Sequence, residues 1–158
     1  MDNSQLVIFK LGLEEYAMDI SFAQEIIRIP PLTKIPNAPS FLEGVFNLRG
    51  KVLPVFDLKK RFKLDETERG IDSRLLIINL DGMMAGIIVD DVSEVMKINN
   101  LNNINNQSIA NLDNEIVGLS KDSIQGVCLV EERIIILLNV PKLKSDILKL
   151  NFKGEEIL

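Results

Sequence analysis

Residues 6–37, "LVIFKLGLEEYAMDISFAQEIIRIPPLTKIPN", lie without a gap over residues 75–106, "LLIINLDGMMAGIIVDDVSEVMKINNLNNINN", at a shift of 69 positions. Identities such as Leu6/Leu75, Ile8/Ile77 and Glu25/Glu94 are joined by conservative pairs, Met18/Ile87, Ile20/Val89 and Ile26/Val95, so the alternation of apolar and polar positions is kept. Further on the shift becomes 82. There "GVFNLRGKVLPVFDL" (44–58) falls on "GVCLVEERIIILLNV" (126–140), and the second copy holds 13 extra residues within "NNQSIANLDNEIVGLSKDSIQ". A chain written twice folds as two like units. The reading is one domain over residues 1–158, with pseudo-repeats of about 6–62 and 75–144 and a polar linker at 63–73.

Each copy predicts the same series of elements. Strands are expected at Leu6–Leu11 and Tyr16–Ile20, and again at Leu75–Leu80 and Ala85–Val89, with a polar turn inside each pair. "SFAQEIIRI" and "DDVSEVMKI" predict a tight bend into a third strand, followed by a Pro- or Asn-rich loop. A hairpin ends each copy, Val45–Asn47 with Val52–Phe56 and Val127–Val130 with Ile134–Leu138. Short helices are expected at Asp57–Phe62 and Pro141–Leu150, where Pro141 suits a first helical position. Many short strands with few helical periods predict small barrels. Closing about five strands into each removes open edges, and packing the two together makes one shared core.

Composition removes whole classes of function. The 158 residues include no histidine and one cysteine, and carry a net charge of −5. Without imidazole the chain lacks the commonest general base, zinc ligand and phosphate acceptor. An acidic chain with no basic stripe is unsuited to nucleic acid or to an anionic membrane surface. Cys128, just before an apolar run, reads as a buried thiol. The start "MDNSQLVIFK" has no basic leader region. The longest apolar run, Ile134–Leu138, falls far short of the roughly 20 residues needed to span a bilayer. A cytoplasmic protein without membrane insertion is therefore expected. Asp19, Asp57 and the pair Asp90-Asp91 are the carboxylates an enzyme could use. Their neighbours are turn residues, and Asp90-Asp91 falls on Ser21-Phe22 in the other copy, so they read as turn acids. No catalytic residue, metal ligand or cofactor is expected.

One residue stands out between strand-like runs: Arg49 in "NLRG", whose counterpart in the second copy is Glu131 in "LVEE". Both hairpins keep a polar tip, but of opposite charge.

The stretch "IPNAPSFLEGVFNLRGKVLPVFDLKKRF" (35–62), supported by "YAMDISFAQEI" (16–26), "AGIIVDDVSEV" (85–95) and "GVCLVEERIIILLNVPKL" (126–143), resembles the CheW family of bacterial chemotaxis coupling proteins, over roughly Leu6 to Leu148. The resemblance implies a mainly β fold of two intertwined five-stranded β-barrels with short helices at their ends. It implies a non-enzymatic adaptor, monomeric when isolated, that links chemoreceptors to the histidine kinase CheA and scaffolds the signalling array, in flagellar chemotaxis or in another chemosensory system. On the matching positions it places Glu25, Gly44, Asn47, Arg49 and Val95 against the cytoplasmic tip of the receptor. It places Ile26, Glu43, Val52 and Pro54 against the kinase regulatory domain. From the residues alone, Val95, Ile26 and Val52 fit an interior position equally well. Three features depart from the family pattern. Asn139 stands where an acidic residue matching Asp57 is usual, and Phe22 replaces a smaller aliphatic residue. The Asn-rich tract Asn99–Asn114, read as a solvated loop, falls where the family has a second kinase contact.

Overall fold

The computed structural model describes residues 4–64, 69–98 and 124–148. Within them the first half forms β1 (Ser4–Leu11), β2 (Glu14–Asp19), β3 (Ala23–Ile27), β4 (Leu42–Leu48), β5 (Lys51–Asp57) and helix α1 (Leu58–Arg61). The second half repeats the order with β6 (Arg74–Leu80), β7 (Met83–Val89), β8 (Asp91–Ile98), β9 (Ile124–Val130), β10 (Arg133–Leu138) and helix α2 (Val140–Leu148). The expected bend before the third strand is a single 3₁₀ turn, Ile20–Phe22, with Asp19 Oδ1 accepting the Ser21 N–H at 2.9 Å. Asp57 starts α1 by accepting the Lys59 N–H at 2.9 Å. Asn139 does the same for α2, accepting from Lys142 N at 3.1 Å. The change from acid to amide therefore leaves the cap intact, since either side chain offers the oxygen an N-cap needs. Pro141 sits in the first turn of α2, where its missing N–H is not needed. The tract Asn99–Asn114 lies outside the described residues.

The strands form two five-stranded sheets, in the orders β8-β1-β2-β10-β9 and β3-β6-β7-β5-β4. Neither sheet belongs to one half of the chain. Each hairpin, β1-β2 or β6-β7, is flanked by the three later strands of the other half. The repeat is exact in register. Leu6 pairs with Asp19 as Leu75 pairs with Ile88, Glu25 with Ile77 as Glu94 with Ile8, and Asn47 with Val52 as Leu129 with Ile134. Shifts of 69 and 82 positions convert one set into the other.

This exchange explains the unbroken apolar runs. Val7, Phe9 and Leu11 of β1 face a shared core with Leu76, Ile78 and Leu80 of β6, while Leu6 and Ile8 face a smaller cluster with Ala17, Cys128, Ile135 and Leu137. Leu75 and Ile77 do the same on the other side, against Phe46, Leu53, Val55 and Ile88. A strand covered on both faces has no reason to alternate. Tyr16 stacks between Phe9 and Phe62 in the shared core. Burial, with the negative charge of Glu14, pushes its hydroxyl up to about 12. Cys128 is fully buried, as expected, and burial raises its thiol pKa.

The barrel expectation is met as two five-stranded sheets rather than as continuous closed barrels. In the second sheet the chain leaving β3 reaches the far edge at one point only. Thr33 and Val45 exchange two backbone hydrogen bonds of 2.9 Å, forming a single bridge.

Candidate functional site

The hairpin β4-β5 turns through two residues, Arg49 and Gly50, at φ 49° and 90°, closed by the pair Leu48–Lys51. Two successive positive φ values match the twist of the flanking strands. Glycine accepts this conformation freely, whereas arginine is strained in it. Asn47 holds the turn by accepting the Gly50 N–H at 2.8 Å, and Asn79 holds the β6-β7 turn by the same bond to Gly82 at 2.9 Å. Asn47 is exposed, but its carbonyl oxygen is committed to the turn.

Arg49 is 69% exposed on its side chain, and its guanidinium reaches across to the Glu25 carboxylate on β3. These two residues, singled out separately in the sequence, are partners in space. They sit on elements at opposite edges of the same sheet, brought together where the chain curls through the Thr33–Val45 bridge. Gly44 permits that approach. At φ 153° it is buried, and a Cβ there would stand 2.6 Å from the Thr33 carbonyl oxygen. Gly44 therefore positions the site from beneath and offers no side-chain or surface contact of its own.

Ile26 and Val52, whose sequence fitted either the interior or the surface, are 45% and 38% exposed. They lie on the same two elements as Glu25 and Arg49. Pro54 is half-buried opposite Val45, one residue before the parallel β5-β7 ladder begins at Val55, so its missing N–H breaks no bond there. Glu43, expected on the kinase face, is held by two cations. Its Oε2 accepts from Arg69 Nη2 at 2.8 Å, and its Oε1 lies 2.5 Å from Lys60 Nζ in an ion pair. Burial alone would raise its pKa, but the two cations outweigh it and hold the carboxyl below its usual range. Glu43 thus anchors α1 and the linker to β4.

Val95 is 51% exposed on β8 of the other sheet, at the position equivalent to Ile26. A second ion cluster, not foreseen from the sequence, lies near it. Arg133 donates from Nε and Nη2 to both oxygens of Glu15, at 3.0 and 2.7 Å, and from Nη2 to Glu94 at 3.0 Å. Glu94 is the counterpart of Glu25, and that alignment was the available signal. Its partner escaped notice because the cation comes from position 133, not from Glu131 at the counterpart of Arg49. The hairpin also exposes the cross-strand pair Leu129 and Ile134.

Three of the carboxylates an enzyme could have used serve as structural groups. Asp19 and Asp57 cap helical turns, and Asp90 binds Lys59 Nζ at 2.8 Å and the Gly12 N–H at 2.6 Å. No helix among the described residues is long and apolar enough to cross a membrane.

Two matched sheets around one core, with exposed aliphatic side chains and an ion pair set on strand edges and turns, define a scaffold-type binding module. The chain belongs to the CheW family: the model of the CheW-like domain matches residues 5–147. It is 33% identical over 141 residues to Chemotaxis protein CheW of Klebsiella aerogenes, covering 89% of this chain and 81% of that one. It is 33% identical over 145 residues to Chemotaxis protein CheW of Treponema pallidum, covering 89% and 82%. The crystal structure of the scaffolding protein TtCheW from Thermoanaerobacter tengcongensis superposes with a TM-score of 0.77 at 35% identity, covering 87% of this chain and 84% of that one.

Proposed function

We propose that this protein is a chemotaxis adaptor that couples the cytoplasmic tips of transmembrane chemoreceptors to a CheA-type histidine kinase and scaffolds their array, without catalysis of its own. It works in the cytoplasm and is recruited to the membrane by its partners. The observation that carries this reading is the Glu25–Arg49 pair, an exposed guanidinium held on a strained turn, with Ile26 and Val52 exposed on the strands β3 and β5. An arginine fixed in this way presents a planar fork of donors to carboxylates or amides on a receptor helix. Glu25, Asn47, Arg49 and Val95 form the receptor face, with Gly44 setting its spacing. Ile26, Val52 and Pro54 form the kinase face, an apolar patch that Glu43 steadies through Lys60 and Arg69.

The test is a pull-down of the purified protein against a kinase regulatory domain and, separately, against a receptor-tip fragment, comparing wild type with Arg49→Glu. Wild type is expected to capture both, and the variant, folded by circular dichroism, to lose the receptor alone. Capture of neither partner by wild type would overturn the coupling function. An unchanged variant would remove Arg49 from the receptor face.

A further inference from the structure

Two junctions between helix, hairpin turn and strand bend are equivalent under the internal repeat, and they are built differently. In the first, Lys59 of α1 reaches Asp90 at the bend between β7 and β8, with its side chain only 4% exposed. Asp90 Oδ2 accepts the Gly12 N–H of the β1-β2 turn at 2.6 Å, and the Asp90 N–H donates to the Lys10 carbonyl at 2.9 Å. One lysine and one aspartate thus fill the junction from within.

The same shifts of 69 and 82 positions put Pro141 in place of Lys59, Ser21 in place of Asp90 and Asp81 in place of Gly12. Both members of the ion pair are gone. A cleft of about 620 Å³ stands there, lined by Ser21, Phe22, Gln24, Asp81, Pro141 and Lys144 among others. Its volume falls in the range of about 300–1,000 Å³ usual for ligand sites. The negative charge has moved rather than vanished. Asp81, the counterpart of Gly12, lines the cleft together with Ser21, the counterpart of Asp90. Among the described residues Asp81 makes no ion pair, and neither does Lys144, which also lines the cleft.

We infer that the open junction is a socket for the group the closed one supplies internally: an ammonium or guanidinium on an alkyl stem, carried by a partner polypeptide. The stem lies along Phe22 and Pro141, as a lysine's methylenes lie on apolar surface. The charge meets Asp81, with Ser21 and Gln24 offering further acceptors. Lys144 weakens any cation bound there by like-charge repulsion.

The test titrates N-acetyl-lysine amide into isotope-labelled protein and follows its backbone amides by NMR, with N-acetyl-norleucine amide as the uncharged control. The lysine probe is expected to shift Ser21, Phe22, Asp81 and Gly82 with a millimolar Kd, and the control to shift none of them. Asp81→Asn should abolish the response and Lys144→Ala should tighten it several-fold. Pro141→Lys, which refills the junction from inside, should block it. Any of three results overturns the inference: no shifts in wild type, equal shifts from norleucine, or an undiminished response in Asp81→Asn. The amide spectrum of each variant reports independently that it is folded.

Discussion

Arg49 and Glu25 lie on elements at opposite edges of one sheet and meet as an ion pair, so a contact singled out for binding also spans the opening of a curled sheet. An exposed pair of this kind contributes about 0–1 kcal/mol to stability. Glu25→Gln is therefore expected to leave the urea midpoint almost unchanged while weakening receptor capture, because the guanidinium loses its orientation. A large fall in stability with unchanged capture would show the pair to be structural only.

Gly44 and Gly50 separate backbone spacing from turn geometry. Gly44→Ala forces a methyl against the Thr33 carbonyl and should cost about 2 kcal/mol or more. Nothing lies within 4 Å of the Cβ position at Gly50, so Gly50→Ala pays only conformational strain, about 1 kcal/mol. Urea unfolding of the two variants checks the order.

Lys59→Met strands the Asp90 carboxylate in a largely buried junction, and the expected loss is about 3 kcal/mol. Adding Asp90→Ser, which reproduces the residue at Ser21, should recover part of it by removing the orphaned charge. A double-mutant cycle in urea measures the coupling; additive losses would mean that the pair is not the link it is taken to be.

Burial pushes the Asp57 carboxyl above its ordinary value, although the Lys59 N–H draws it down. The folded state then holds this proton to higher pH than the unfolded state does. Stability falls as pH rises from the ordinary Asp value through the raised one, and it stays lower above. Asp57→Asn keeps the cap, as Asn139 does, and removes the titration. The variant should be at least as stable as wild type near neutrality, with a flatter profile on the acid side, read from urea midpoints across that range.

Glu15 shows the opposite sign. Its bond to the Arg133 guanidinium holds the carboxyl below the usual range, so its contribution is present above the unfolded pKa and is lost as pH falls through the folded one. Arg133→Met should cost about 1 kcal/mol at neutral pH, allowing for solvent screening, and nothing in strong acid. Thermal melts at the two extremes distinguish this from lost packing.

Strand positions and the four hairpin turns were legible because apolar runs bounded by polar or glycine turn residues leave few alternatives. Partner choice between the halves was not. The apolar pattern of β3 matches that of β8, so β1 could pair with either on pattern alone, and only the paths of the connecting chain decide. The exposure of Ile26, Val52 and Val95 was equally undecidable, since an aliphatic residue on a strand with one open face reads like core. Glu43 was legible as a charge beside the site, but its cations come from Lys60 and from Arg69 in the linker, which spacing does not reveal.

Because each hairpin is completed by strands of the opposite half, order of synthesis matters. The β1-β2 hairpin leaves the ribosome with neither lateral neighbour in existence. It waits for β8 on one side and for β10, ending at Leu138, on the other. Through most of elongation its apolar faces have no native cover, the condition under which nascent chains meet chaperones or aggregate. Cutting the chain at its linker would give two fragments that each lack the strands they need and carry strands only the other can use.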